Sequence, residues 1–190
     1  MLRRILIVSV LALALAPAAN AAGGRYVFDG GTRAEQAQVV AALNASSFDW
    51  SVVPGTVVVH IGKNVSPVAA AGQIWLDAGL LDSGRFSWGV VQHEYAHQVD
   101  FGVLTDSLRA QLAAKLGGSA WWGAASDHSQ LDCERFADLV AWSYWPSPDN
   151  VMRPESAADE GGQLAPAAFR ALLSSVLGLR TLAAVSPRKG

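Results

Sequence analysis

The chain has 190 residues, with 14 Lys and Arg against 16 Asp and Glu, four histidines and one cysteine, Cys133. A mildly acidic balance without a basic run argues against nucleic acid as a partner, and a lone cysteine rules out an intramolecular disulfide. Stability must then come from packing, with a metal as the other available clamp, and the seven tryptophans point to a well-filled interior or an aromatic-lined cleft.

Residues 1–21 read as a secretory leader: MLRR supplies a basic start, ILIVSVLALALA an apolar run short of a bilayer span, and Ala19-Asn20-Ala21 a small-x-small cleavage site. The alternative is an uncleaved membrane anchor. Cleavage leaves a secreted, single-domain chain of residues 22–190 with no stable membrane association. The loss of Arg3 and Arg4 takes its formal charge from −2 to −4.

RYVFDG (25–30) is expected to be a strand. Thr32 and Glu35 form a capping-box pattern that opens a helix to about Ser46, with Val39, Val40 and Leu43 at helical spacing. The β-branched run TVVVHIG (56–62) reads as a buried strand, in which His60 is a core histidine, and GQIWLDAG (72–79) as a further strand. Helices follow at 86–101, at 105–116 with a Thr105 or Asp106 cap and a Gly117-Gly118 stop, at 131–145 before Pro146, and at 165–178. Residues 117–129 and 146–164 are expected to be loops, and the C-terminal SPRKG a frayed end. Strands first and helices after give an α+β domain, with a small mixed sheet followed by a helical half.

The chemistry sits in VVQHEYAHQVDF (90–101). A helix turns about 100° per residue, so His93 and His97 project from one face and both rings can reach one zinc ion. Glu94 is offset beside them, where it can take a proton from an attacking water. Tyr95 points the other way and is expected to pack. A short-range third ligand is missing, because Asp100 and Val103 stand where the extended pattern needs Gly and His. The best remaining candidate is Glu134, 37 residues beyond His97 near the start of the 131–145 helix. Asp138 lies one turn further on the same face, placed to take the outer N–H of a ligand histidine.

These residues resemble the gluzincins, the zinc peptidases typified by thermolysin, which combine HExxH with a Glu on a later helix and an Asp four residues after it. HEYAH followed by Gln-Val-Asp, with ERFAD downstream, is similar within that group to the catalytic domain of anthrax toxin lethal factor. The likeness covers about residues 70–145. It implies zinc held by His93, His97 and Glu134, Glu94 as the base, and Asp138 bonded to His93. The implied fold is a small mixed sheet whose edge strand flanks the cleft above two crossed helices. The family edge strand falls on GQIWLDAG, so an extended peptide or protein substrate is expected to pair along Ile74, Trp75 and Leu76. Related enzymes add a Tyr or His donor to the oxyanion. His128 is the candidate for that role, unless it merely caps the helix or faces solvent, and Tyr144 is the weaker alternative, nearly three turns beyond Glu134. At 190 residues the sequence is short for the family, and no large C-terminal subdomain is expected.

The function expected is therefore a secreted zinc-dependent peptidase. The alternatives are a peptidase-fold binding protein without activity and a zinc hydrolase of a non-protein amide. Asp100 is read as structural, with a partner such as an arginine. Cys133 is read as a packed free thiol, and Trp121-Trp122 as a substrate platform or core.

Overall fold

The computed structural model describes residues 19–21, 23–123 and 128–178. Most of the leader, the middle of the 117–129 loop and the C-terminal tail lie outside the described residues.

The domain is α+β. Five strands, β1 (Ala19–Ala21), β2 (Gly24–Gly30), β3 (Val57–Gly62), β4 (Val68–Ala70) and β5 (Gln73–Asp77), form one mixed sheet in the order β1-β2-β3-β5-β4. β2, β3 and β5 run parallel, and β1 and β4 are antiparallel to their neighbours. The short β1 comes from the end of the segment read as a leader. The crossover between β2 and β3 carries α1 (Arg33–Ala45), as a parallel connection requires. Its start is the expected capping box: Glu35 N donates to Thr32 Oγ1, and Thr32 N donates to Glu35 Oε2 at 2.6 Å. Gly30, just before it, has φ +83°, and a Cβ there would meet Ile61 O at 2.6 Å, so only glycine permits this approach of β2 to β3.

The sheet packs one face against the helices. Val57, Val59 and Ile61 of β3 and Ile74 and Leu76 of β5 alternate inward into the core. His60 is therefore not a core residue. Period-2 alternation turns it to the outer face, where Nδ1 donates to Asp29 Oδ2 at 2.7 Å and the ring stacks on Trp75 at 4.9 Å.

The remaining helices are α2 (Ala78–Asp82), α3 (Phe86–Val103), α4 (Asp106–Leu116), α5 (Asp132–Tyr144) and α6 (Pro166–Val176). The run expected to be strand to residue 79 ends at Asp77, whose side chain accepts from Leu80 N and opens α2 instead. Every residue of α3 from Val91 to Asp100 is buried. Helix α3 is thus a central pillar, packed against the sheet, α1 and α5. Among the described residues no helix is long and apolar enough to cross a membrane.

The expectation for the edge strand needs correction. β5 lies between β3 and β4 and is not an edge. β3 pairs with Ile74, Trp75 and Leu76 on one side and β4 with Ile74 and Trp75 on the other, so these residues do not form the edge that another chain could extend. The edge beside the cleft is β4, which folds back on β5 through Val68↔Trp75, Ala69↔Ile74 and Ala70↔Gln73.

Candidate metal centre

Burial of α3 forces each of its polar side chains to find a partner. Gln92 donates to Ala42 O at 2.7 Å. Asp100 accepts from Arg109 Nε at 2.8 Å and from the ring nitrogens of both Trp121 and Trp122, so the expected arginine partner is present and two indoles join it. Tyr95 is packed, its hydroxyl donating to Arg25 O. His93, Glu94 and His97 instead face a cleft of about 150 Å³, which Glu134 and Cys133 of α5, His128, Phe101, Trp122, Pro67 and the β4 residues Val68 and Ala69 also line.

The helices α3 and α5 make the most extensive contact in the fold. It brings Glu134, in the first turn of α5, against both histidines. Glu134 Oε2 lies 3.2 Å from His93 Nε2 and 3.3 Å from His97 Nε2, and the two ring nitrogens are 3.2 Å apart. Among the described residues this is the one group of three side chains able to hold a metal ion. Four ligands at zinc distances of about 2.0–2.1 Å in a tetrahedron stand about 3.3 Å from one another. The three measured separations match three edges of that tetrahedron, and two imidazoles with a carboxylate suit zinc chemically. The residues fit a metal.

Asp138 completes the arrangement from behind. His93 Nδ1 donates to Asp138 Oδ1 at 2.7 Å, which fixes Nε2 as the atom facing Glu134 and His97. Burial alone would lower the His93 pKa, but hydrogen bonds to Asp138 and Glu134 outweigh it and lift it well above the usual value in the metal-free protein. Burial likewise raises Glu134, yet the two histidines overcome it and hold this carboxyl well below the ordinary range. The Glu94 carboxyl is pushed up, first by burial and against the pull of the two histidines. Glu160, from the loop between α5 and α6, bonds Asp138; burial and then the Asp138 charge push it up to about 7.

No family model, curated protein or solved structure matches this chain. The resemblance to zinc peptidases therefore stands on the motif residues themselves.

The other candidates divide. His128 opens a short turn before α5, held by Arg135 Nε donating to Ser129 O at 2.6 Å, and its Nδ1 lies 3.4 Å from Glu134 Oε2. It is at the centre's rim with 70 % of its side chain exposed. Tyr144 is not in the cleft lining; its ring packs on Phe48 at 4.9 Å. Cys133 is a buried free thiol, pushed up to about 12 chiefly by burial. Although adjacent residues on a helix diverge, its Sγ donates to Glu134 Oε1 at 3.6 Å, so the carboxylate has one oxygen on the thiol and the other on the histidines. Trp121 packs against Phe136 in the core and Trp122 lines the cleft.

Sequence reasoning missed Pro67, Val68, Ala69, Phe101, Gln98 and Glu160. Phe101 could have been found, since it lies one turn beyond His97 on the same helix face, and its ring stacks on His97 at 6.1 Å. Glu160 sits in a polar loop with nothing local to mark it.

Proposed function

We propose that the protein is a zinc-dependent hydrolase of peptide bonds that binds its substrate as an extended chain along β4. The observation that carries this reading is the convergence of His93 Nε2, His97 Nε2 and Glu134 Oε2 to within 3.3 Å beside the buried carboxylate of Glu94. A metal-holding role alone does not call for Glu94, which ligates nothing in this arrangement. Zinc bound there supplies a Lewis acid for the substrate carbonyl and lowers the pKa of a water. Glu94 takes the proton of the attacking water and hands it to the leaving amine, a role its place beside the three ligands allows. Asp138 keeps the His93 ring in one tautomer and orientation throughout. His128, at the rim, donates to the oxygen that gains charge. The open flank of β4, and not Ile74, Trp75 and Leu76 of β5, takes the substrate backbone.

The test is cleavage of a peptide library by the secreted form, with and without chelator and with zinc returned. Glu94→Gln, which keeps the shape but removes the base, is expected to retain metal and lose about 10²–10⁴-fold in rate. Cleavage by Glu94→Gln at the wild-type rate refutes the assignment of the base. A wild type that holds zinc and cuts no peptide refutes the peptidase reading.

A further inference from the structure

Gln98 directly follows the second histidine of the motif, yet it does not line the cleft. Its side chain is only 2 % exposed, and the three bonds of its amide all go to one turn of backbone. Oε1 accepts from Gly72 N at 2.8 Å, while Nε2 donates to Ala70 O at 3.0 Å and to Gln73 O at 3.1 Å. Ala70 ends β4 and Gln73 begins β5, so one buried amide satisfies both flanks of the hairpin and its turn.

Beyond its packing on α3, β4 has few backbone bonds to hold it. It is three residues long, meets β5 through three residue pairs, and carries Val68 at 50 % exposure. A strand this short on a sheet edge gains little from the sheet alone. The amide links it instead to α3, whose residues 91–100 are all buried, one residue from His97. The separation of the β4 flank from the ligand nitrogens is thereby set across a rigid helix turn and three hydrogen bonds.

We propose that Gln98 is a positioning residue: it fixes the β4 edge relative to His97, so that a polypeptide lying along Val68–Ala70 presents its peptide bond to the metal centre. The proposal rests on the hydrolase reading above and deepens it, because it commits the substrate to an extended chain held through its backbone. A compact amide that fits the cleft without reaching β4 has no use for this device. Gln98 touches neither substrate nor metal ligand, and its effect passes through the strand.

The test uses Gln98→Met, similar in length and without polar atoms, in the full secreted chain. Two readouts are taken. Backbone amide exchange, measured on wild type and variant loaded with zinc, reports whether β4 is held. The expected result is at least tenfold faster exchange across residues 68–73, with 90–100 unchanged and zinc content equal. Steady-state kinetics then compares a long peptide with a blocked dipeptide spanning only the scissile bond. The expected result is a fall of about tenfold or more in kcat/KM for the long peptide, mainly through KM, and less than threefold for the short one. Gln98→Asn keeps a buried amide but withdraws it from all three partners, and it serves if the Met variant does not fold. Unchanged exchange at 68–73 overturns the proposal, and so does an equal loss on both substrates together with lowered zinc content, which marks a merely structural residue. If wild type cuts no peptide, the peptidase reading fails, while the exchange experiment still decides whether Gln98 fixes the strand.

Discussion

Asp138 offers the most quantitative test of how the centre is supported. Its carboxylate takes the Nδ1 proton of His93 at 2.7 Å, and both side chains are less than 10 % exposed. A charge-assisted bond in such a setting contributes about 1.5–3 kcal/mol, and each 1.4 kcal/mol is tenfold in an equilibrium constant. If that bond serves to hold His93 ready for metal, its loss lowers zinc affinity roughly 10- to 100-fold, the range found when such outer partners are removed. Asp138→Asn keeps a carbonyl acceptor without the charge and falls at the lower end. Asp138→Ala also strands a buried N–H and falls at the upper end. Against its own burial, His93 is held partly by Asp138 at a pKa well above normal, so removing Asp138 also weakens proton competition for the ring. That offsets part of the loss at neutral pH, and the gap to wild type widens as pH rises. Competition with a chromophoric chelator at two pH values measures it. Zinc affinity of Asp138→Ala within twofold of wild type at the higher pH refutes the reasoning.

Further outcomes follow from groups around the centre. Glu160 has a folded pKa of about 7 against an ordinary 4.5, so between those values the unfolded chain has lost a proton that the folded protein keeps. Stability conferred by this group is therefore lost as pH rises through that window, and thermal midpoints recorded from acid to neutral pH should fall for wild type and stay flatter for Glu160→Gln; parallel curves refute it. Tyr26 is fully buried, and among the described residues its hydroxyl has no hydrogen-bond partner. Tyr26→Phe removes that unmet group and is expected to be as stable as wild type or more stable, by up to about 1–3 kcal/mol in denaturant unfolding. Burial pushes Tyr26 up to about 12, so wild type alone loses this residue's share of stability between pH 10 and 12; a marked destabilisation of the variant at neutral pH contradicts the assignment.

What could be read in the sequence was what short-range rules control. The Thr32–Glu35 capping box, the Gly117 stop at φ +78° and the HExxH helix each depend on residues within a turn or two, and each is present. Glu134 needed a different argument, from the absence of a nearer ligand, and the structure places its Oε2 against both histidines. The sheet edge was not legible. Val68-Ala69-Ala70 is too short to show a period, and its pairing with β5 is what makes β5 an inner strand of the sheet. His60 was misplaced because a continuous valine run suggests burial on both faces, whereas among the described residues only alternate positions of β3 are buried. Gln98 was invisible because a glutamine on a helix reads as surface until its backbone partners, 25 to 28 residues away, are seen.

Whether His93, His97 and Glu134 together hold one metal is tested most directly by metal content after equilibrium dialysis against buffered zinc, comparing wild type with Glu134→Ala. One equivalent is expected in wild type and a small fraction of that in the variant, with both folded. One tightly held equivalent in Glu134→Ala, or none in wild type, contradicts the assignment of these ligands.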